Sequence, residues 1–176
     1  MLTTADRLEA ITRGIGLLIA WLTLALVLVT SIVVIQRYLF DAGSIRMQES
    51  ITFMHAAIFM LTAAYTLAVN DHVRVDIFYS NMSPRGQALV NLFGTLFLLM
   101  PFCTFMFYSS WDFVGVAWSV RESSQESGGL PFPFPGLMKS FIPLASGLLI
   151  MQGLVIILRS LATLGTPGSL HTVEQR

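Results

Sequence analysis

The chain has 176 residues, of which 55% are hydrophobic and only 11% charged, and its formal net charge is zero. Soluble domains carry about 25% charged residues, so a mean hydropathy of +0.72 excludes an ordinary water-soluble fold, and the neutral charge gives no bulk attraction to nucleic acid. The single cysteine, Cys103, excludes an internal disulfide, a Cys-x-x-Cys redox pair and a thiolate metal cage; within an apolar run it reads as a small packed hydrophobe.

Residues 1–13 read as a short amphipathic lead-in at the membrane surface. Thr3 is placed to cap it, with Asp6 in capping-box spacing. Leu8, Ile11 and Ile15 share one face, and Arg7, Glu9 and Arg13 reach water. A cleaved signal peptide fits less well, because the segment carries acidic residues and no small-x-small site follows. Four apolar runs come next, over about 14–36, 50–69, 88–108 and 138–158. Each has the ~20 residues a helix needs to cross about 30 Å of hydrocarbon. Backbone groups in lipid must be satisfied within the segment, so the runs are helices. The fold class expected is an all-α membrane protein of one integral domain, with four transmembrane helices arranged as two hairpins.

The connections differ in character. Residues 37–49 predict a tight turn around Asp41, Gly43 and Ser44. Residues 70–85 form a polar hinge between the hairpins, containing His72, Arg74 and Asp76 in an alternating pattern suited to lipid headgroups or to a docking surface. Ser83 followed by Pro84 predicts a helix start, and Pro101 predicts a bend in the third span. The outer loop, 109–137, opens with Trp111, Phe113, Val114 and Trp118, which suit a surface helix at headgroup level. It continues through a polar stretch to a stiff extended segment at 130–135. The tail after 161 is short. Counting Lys and Arg, six of the ten lie on the side of the termini, a weak positive-inside bias that favours N-in and C-in.

The spans carry stripes of small or weakly polar residues. Gly16, Ala20, Thr23 and Thr30 line one seam of the first span and lead to Arg37. Gln48, Thr52, His55, Thr62 and Thr66 fall within a narrow arc of the second. Pro143, Ser146, Gly147 and Gly153 run along the fourth. Small residues let helix backbones approach closely in lipid, so these stripes serve packing within the bundle or against another membrane protein. Arg37 and Glu49 close the first hairpin at its outer edge, where they either form an ion pair or separately snorkel into the headgroups. His55 is the only histidine in a span. Such a residue more often makes a helix–helix hydrogen bond than a proton relay or haem contact.

Several functions are disfavoured. No Asp or Glu lies mid-span, as a proton-driven carrier requires. There are no paired intramembrane histidines for haem, no nucleophile and base at matched depth, and no repeated halves with interrupted helices. No cofactor and no enzymatic activity is expected. The remaining reading is a helper subunit for a larger membrane partner, with a self-contained small oligomeric carrier or channel as the alternative.

Several motifs carry a family resemblance over about residues 10–160. They are Gln36-Arg37-Tyr38-Leu39-Phe40, Gln48-Glu49-Ser50, Asn70-Asp71-His72-Val73-Arg74-Val75-Asp76, Ser83-Pro84-Arg85-Gly86 and, in the fourth span, Lys139 through Pro143 to Gly147. In this order and four-span frame the chain resembles the small (DctQ-like) membrane subunit of tripartite ATP-independent periplasmic (TRAP) transporters. The resemblance implies four spans with both ends cytoplasmic, in the bacterial inner membrane. It implies a large partner subunit moving by an elevator motion, a periplasmic substrate-binding protein that docks transiently outside, and import of an organic acid or similar solute driven by an ion gradient. It implies no catalytic role for the small subunit. The chain departs from many relatives in having one acid, Glu49 beside Gln48, where a Glu-Glu pair is frequent.

Overall fold

The computed structural model describes residues 2–69 and 79–165; in the first helix it describes side chains from Trp21 onward, together with Gly14 and Ile19. Among these residues every regular element is helical. Helix α1 spans Leu2–Leu39 and α2 spans Ile45–Ala68. The third span starts as α3 (Pro84–Gly94), passes through a π-helical turn (Thr95–Leu99) and continues as α4 (Met100–Ser119). Helix α5 covers Phe134–Gly165. Four stretches are long and apolar enough to cross a membrane: Trp21–Leu39, Ile45–Ala68, Pro84–Ser119 and Phe134–Gly165.

Local chemistry explains most of the boundaries. At the first turn Asp41 adopts φ 47°, a left-handed conformation that Asp tolerates better than most residues. The amides of Phe40 and Ala42 both donate to the Gln36 carbonyl, at 3.2 and 3.0 Å. Ser44 then caps α2, its hydroxyl accepting from the Met47 amide at 3.4 Å. Ser83 caps α3 in the same way from the Gly86 amide at 3.3 Å, with Pro84 at the first helical position. This start is the one the sequence predicts.

The bend expected at Pro101 takes a specific form. Proline cannot donate to the carbonyl four residues back, and its ring collides with that group. The helix answers with one wide turn just upstream, in which the Met100 amide reaches the Thr95 carbonyl, so the extra residue absorbs the misfit.

Two expectations are corrected, and a third, the capping role of Thr3, falls on a side chain outside the described residues, although the helix runs from Leu2. Trp111, Phe113, Val114 and Trp118 do not form a separate surface helix: they are the continuation of the third span, which runs unbroken to Ser119. That helix closes with Arg121 at φ 50°, the Glu122 amide bonded to Ala117 O at 3.0 Å and the Arg121 amide to Trp118 O at 3.3 Å. This is a Schellman cap with arginine where glycine is usual. Finally, the 130–135 segment is not extended throughout. It turns at Phe132–Pro133 and enters α5 at Phe134, with Pro135 tolerated in the first turn.

The packing is not a square of four equivalent helices. Helices α1, α2 and α5 form a triangle, and the third span packs against α5 alone to any extent. The core of the triangle is Ala57, Leu61, Ala64, Ala145 and Leu148, with Ile19, Leu22, Met60, Phe141, Leu149 and Met151 around it. Alanines at the centre keep the helices close. Helix α5 is the hub and buries Pro143, Ala145, Ser146, Leu148, Gln152, Gly153 and Val155. At Gly153 a β-carbon would stand 3.0 Å from Met100 Sδ and 3.3 Å from Leu99 Cδ2, so glycine lets the π turn of the third span approach.

Candidate functional site

The most elaborate polar structure lies where the α4–α5 loop folds back over the start of α2. Glu49, in the first turns of α2, accepts two hydrogen bonds from that loop: one from the Ser124 hydroxyl and one from the Leu130 amide, at 2.6 Å. Ser124 also accepts from the Glu126 amide at 3.1 Å, and its own amide donates to Leu130 O at 2.9 Å. Arg46 Nε donates to the Gly129 carbonyl at 3.4 Å. The loop is thus tied to the α2 end by a carboxylate and a guanidinium.

Two glycines make this fold-back possible for different reasons. Gly128 has φ 84°, which side chains disfavour. Gly129 faces the tie itself: a β-carbon there would overlap Ser124 Oγ and stand 2.7 Å from Glu49 Oε2.

Aromatic contacts hold the loop's base. Trp118 Nε1 donates to Ser140 Oγ at 3.0 Å, and the indole meets Phe132 edge-on. Phe53 of α2 packs on Phe134 and Phe141 of α5. Lys139 pairs with Glu122 at 2.5 Å and lies 4.2 Å from the centre of the Phe113 ring. Between the loop and α2 remains a cleft of about 270 Å³, lined by Glu49, Thr52, Phe53, Glu122, Gln125 and Met138 among others.

The residues singled out from the sequence are distributed as follows. Arg37 and Glu49 form no ion pair: Arg37 is exposed, and both Glu49 oxygens are engaged by the loop. The sequence places the two residues near each other, but Glu49 finds neutral donors from a segment far along the chain. Thr30, Thr52, Thr62 and Thr66 donate to carbonyls four residues back, of Leu26, Gln48, Ile58 and Thr62, so their hydroxyls are satisfied inside their own helices. Thr23 is exposed. Pro143 is buried, and Gly147 is half-buried against Phe107. His55 is exposed and stacks on Phe59, ring centres 6.4 Å apart. His72, Arg74, Asp76, Gly16 and the Ala20 side chain lie outside the described residues. The polar hinge is described only from Tyr79, whose hydroxyl accepts from Asn91 at 2.8 Å and whose carbonyl accepts from Gln87 at 3.1 Å.

The loop tie had little signal in the sequence. Its partners are separated by 75 and 81 positions, and no periodicity links them. The only local hint is the Gly128-Gly129 pair beside Ser124 and Glu126.

This end is a loop fastened onto a helix bundle by hydrogen bonds and aromatic contacts. No curated protein matches the chain. The family model described as tripartite ATP-independent periplasmic transporters, DctQ component, matches residues 26–163, from within the first span to the last turn of α5, and the chain therefore belongs to the DctQ family as a small membrane subunit of a TRAP transporter.

Proposed function

We propose that the chain is the static scaffold of its transporter: it supports a large permease subunit that carries substrate by an elevator motion, and does not itself conduct. In this reading both termini are cytoplasmic and the tied α4–α5 loop faces the periplasm of a bacterial inner membrane, where a substrate-binding protein docks. Import of an organic acid or similar small solute then runs on an ion gradient. Family membership over residues 26–163 carries the reading. Two physical features support it. No Asp or Glu occupies the middle of a span, where ion-coupled carriers need one. The bundle also leaves broad apolar faces uncovered, including Leu24, Val27, Leu28 and Ile32 on α1 and Phe93, Phe97, Phe102 and Phe105 on the third span. Such faces have to be covered by lipid or by a larger membrane protein.

The test is reconstitution. Proteoliposomes holding the large subunit, with binding protein outside and an imposed sodium gradient, should accumulate substrate only when this chain is present. Uptake by this chain alone would overturn the scaffold reading in favour of a self-contained carrier.

A further inference from the structure

We infer that one face of α2, marked by Gln48, Thr52, His55 and Phe59, is the seat of a transmembrane helix of the large membrane subunit, and that this helix supplies a hydrogen-bonding group to His55. The inference rests on the scaffold reading above. These four residues are all exposed, and their spacing places them on one side of the helix, turned away from α1 and α5.

His55 distinguishes this face from the others. It lies ~9 Å along the helix axis from Glu49, at about 1.5 Å per residue. A single methylene stem cannot carry the imidazole back to the headgroups as the long stems of Lys and Arg can. The Phe59 ring, its centre 6.4 Å away, satisfies neither ring nitrogen, and His55 has no hydrogen bond among the described residues. The threonines nearby pose no such problem, because Thr52 and Thr62 bond to their own helix. Lipid offers an imidazole at that depth neither donor nor acceptor. The exposed faces of α1 and the third span are dominated by Leu, Val, Ile and Phe, for which lipid suffices. A polar residue left open in hydrocarbon calls for a protein partner with a polar group at the same depth.

The face is also continuous with the cleft under the loop, since Thr52 lines both. A helix seated along Thr52 and His55 would therefore end beneath the tied loop. Phe59, 73% exposed, would fill a pocket on that helix.

Photo-crosslinking in membranes containing the full transporter tests this. A benzophenone amino acid replacing Phe59 should give an adduct of this chain with the large subunit; the same probe replacing Phe102 on the third span should give none. His55→Leu should leave the isolated chain folded, because His55 has no hydrogen-bond partner among the described residues, but weaken retention of the large subunit roughly three- to tenfold, the range of one interhelical hydrogen bond. His55→Gln should restore most of that loss. An adduct from position 102 and not 59, an adduct between two copies of this chain, or full retention in His55→Leu would overturn the assignment while leaving the scaffold reading intact. If no large subunit is retained by the unaltered chain, both fail.

Discussion

Both carboxylate oxygens of Glu49 are taken by one loop, whereas Arg37, across the first turn, is exposed. Charge alone would have joined the two, yet a carboxylate that accepts an amide and a hydroxyl is already well satisfied. Glu49→Ala should therefore release the loop and lower the melting temperature of the detergent-solubilised chain, while Arg37→Ala should leave it nearly unchanged. Limited proteolysis across 120–133 gives the direct readout, with faster cleavage in Glu49→Ala only. Gly129→Ala should reproduce that phenotype through sterics, at the ~1–3 kcal/mol typical of overpacking. A second residue invites the opposite result. Gln152 is 2% exposed, and its Oε1 has no hydrogen-bond partner among the described residues. An unmet buried carbonyl costs about 1–3 kcal/mol, so Gln152→Met, of similar length and shape, should raise thermal stability.

Among elements, the third span shows how a single residue sets a helix's course. Pro101 cannot complete the ordinary ladder, and the wide turn at Thr95–Leu99 inserts one residue's worth of rotation, about 100°. That rotation helps bring Trp118 to Ser140 and Cys103 into a buried position, while Met100 meets Gly153. The tight fit at Gly153 gives a graded prediction. Gly153→Ala asks only the flexible ends of Met100 and Leu99 to move and should cost little; Gly153→Leu should force α5 and the third span apart at ~1–3 kcal/mol or more, read as a lowered melting temperature. Much of this level was legible in the sequence. Length and hydropathy reveal four spans, and Ser83-Pro84, Ser44 and Pro101 mark a start, a cap and a bend through rules that act within a few residues. What was not legible depends on partners distant in sequence: the Schellman cap at Arg121, which carries no glycine to announce it, and the Glu49 tie, whose donors come from the other hairpin. The threonine stripes show the converse difficulty, for their spacing suggests partners although each described hydrogen bond returns to its own helix.

At the scale of the whole molecule, three helices close a triangle and the fourth is fastened to one of its corners. Among the described residues helix α5 alone packs extensively on all the others, so the third span is fastened chiefly through it and the triangle can persist without that span. Hydropathy could not have announced this, because four similar apolar runs carry no record of which is central; the small residues of α5 hint at it only once the neighbours are known. The arrangement predicts two separable modes of loosening, and the chain contains its own reporter. Cys103 is the only thiol, 1% exposed on the third span, whose packing partner is α5. Widening the α5–third span contact with Gly153→Leu should speed alkylation of Cys103 by a maleimide under native detergent conditions, since the thiol opens when that span lifts. Overfilling the triangle with Ala64→Leu, at a site 1% exposed between the other helices, should lower the melting temperature by a comparable amount yet leave native-state labelling slow. Equal acceleration by both variants would mean that the four helices loosen as one body, and that the third span is not an independently attached element.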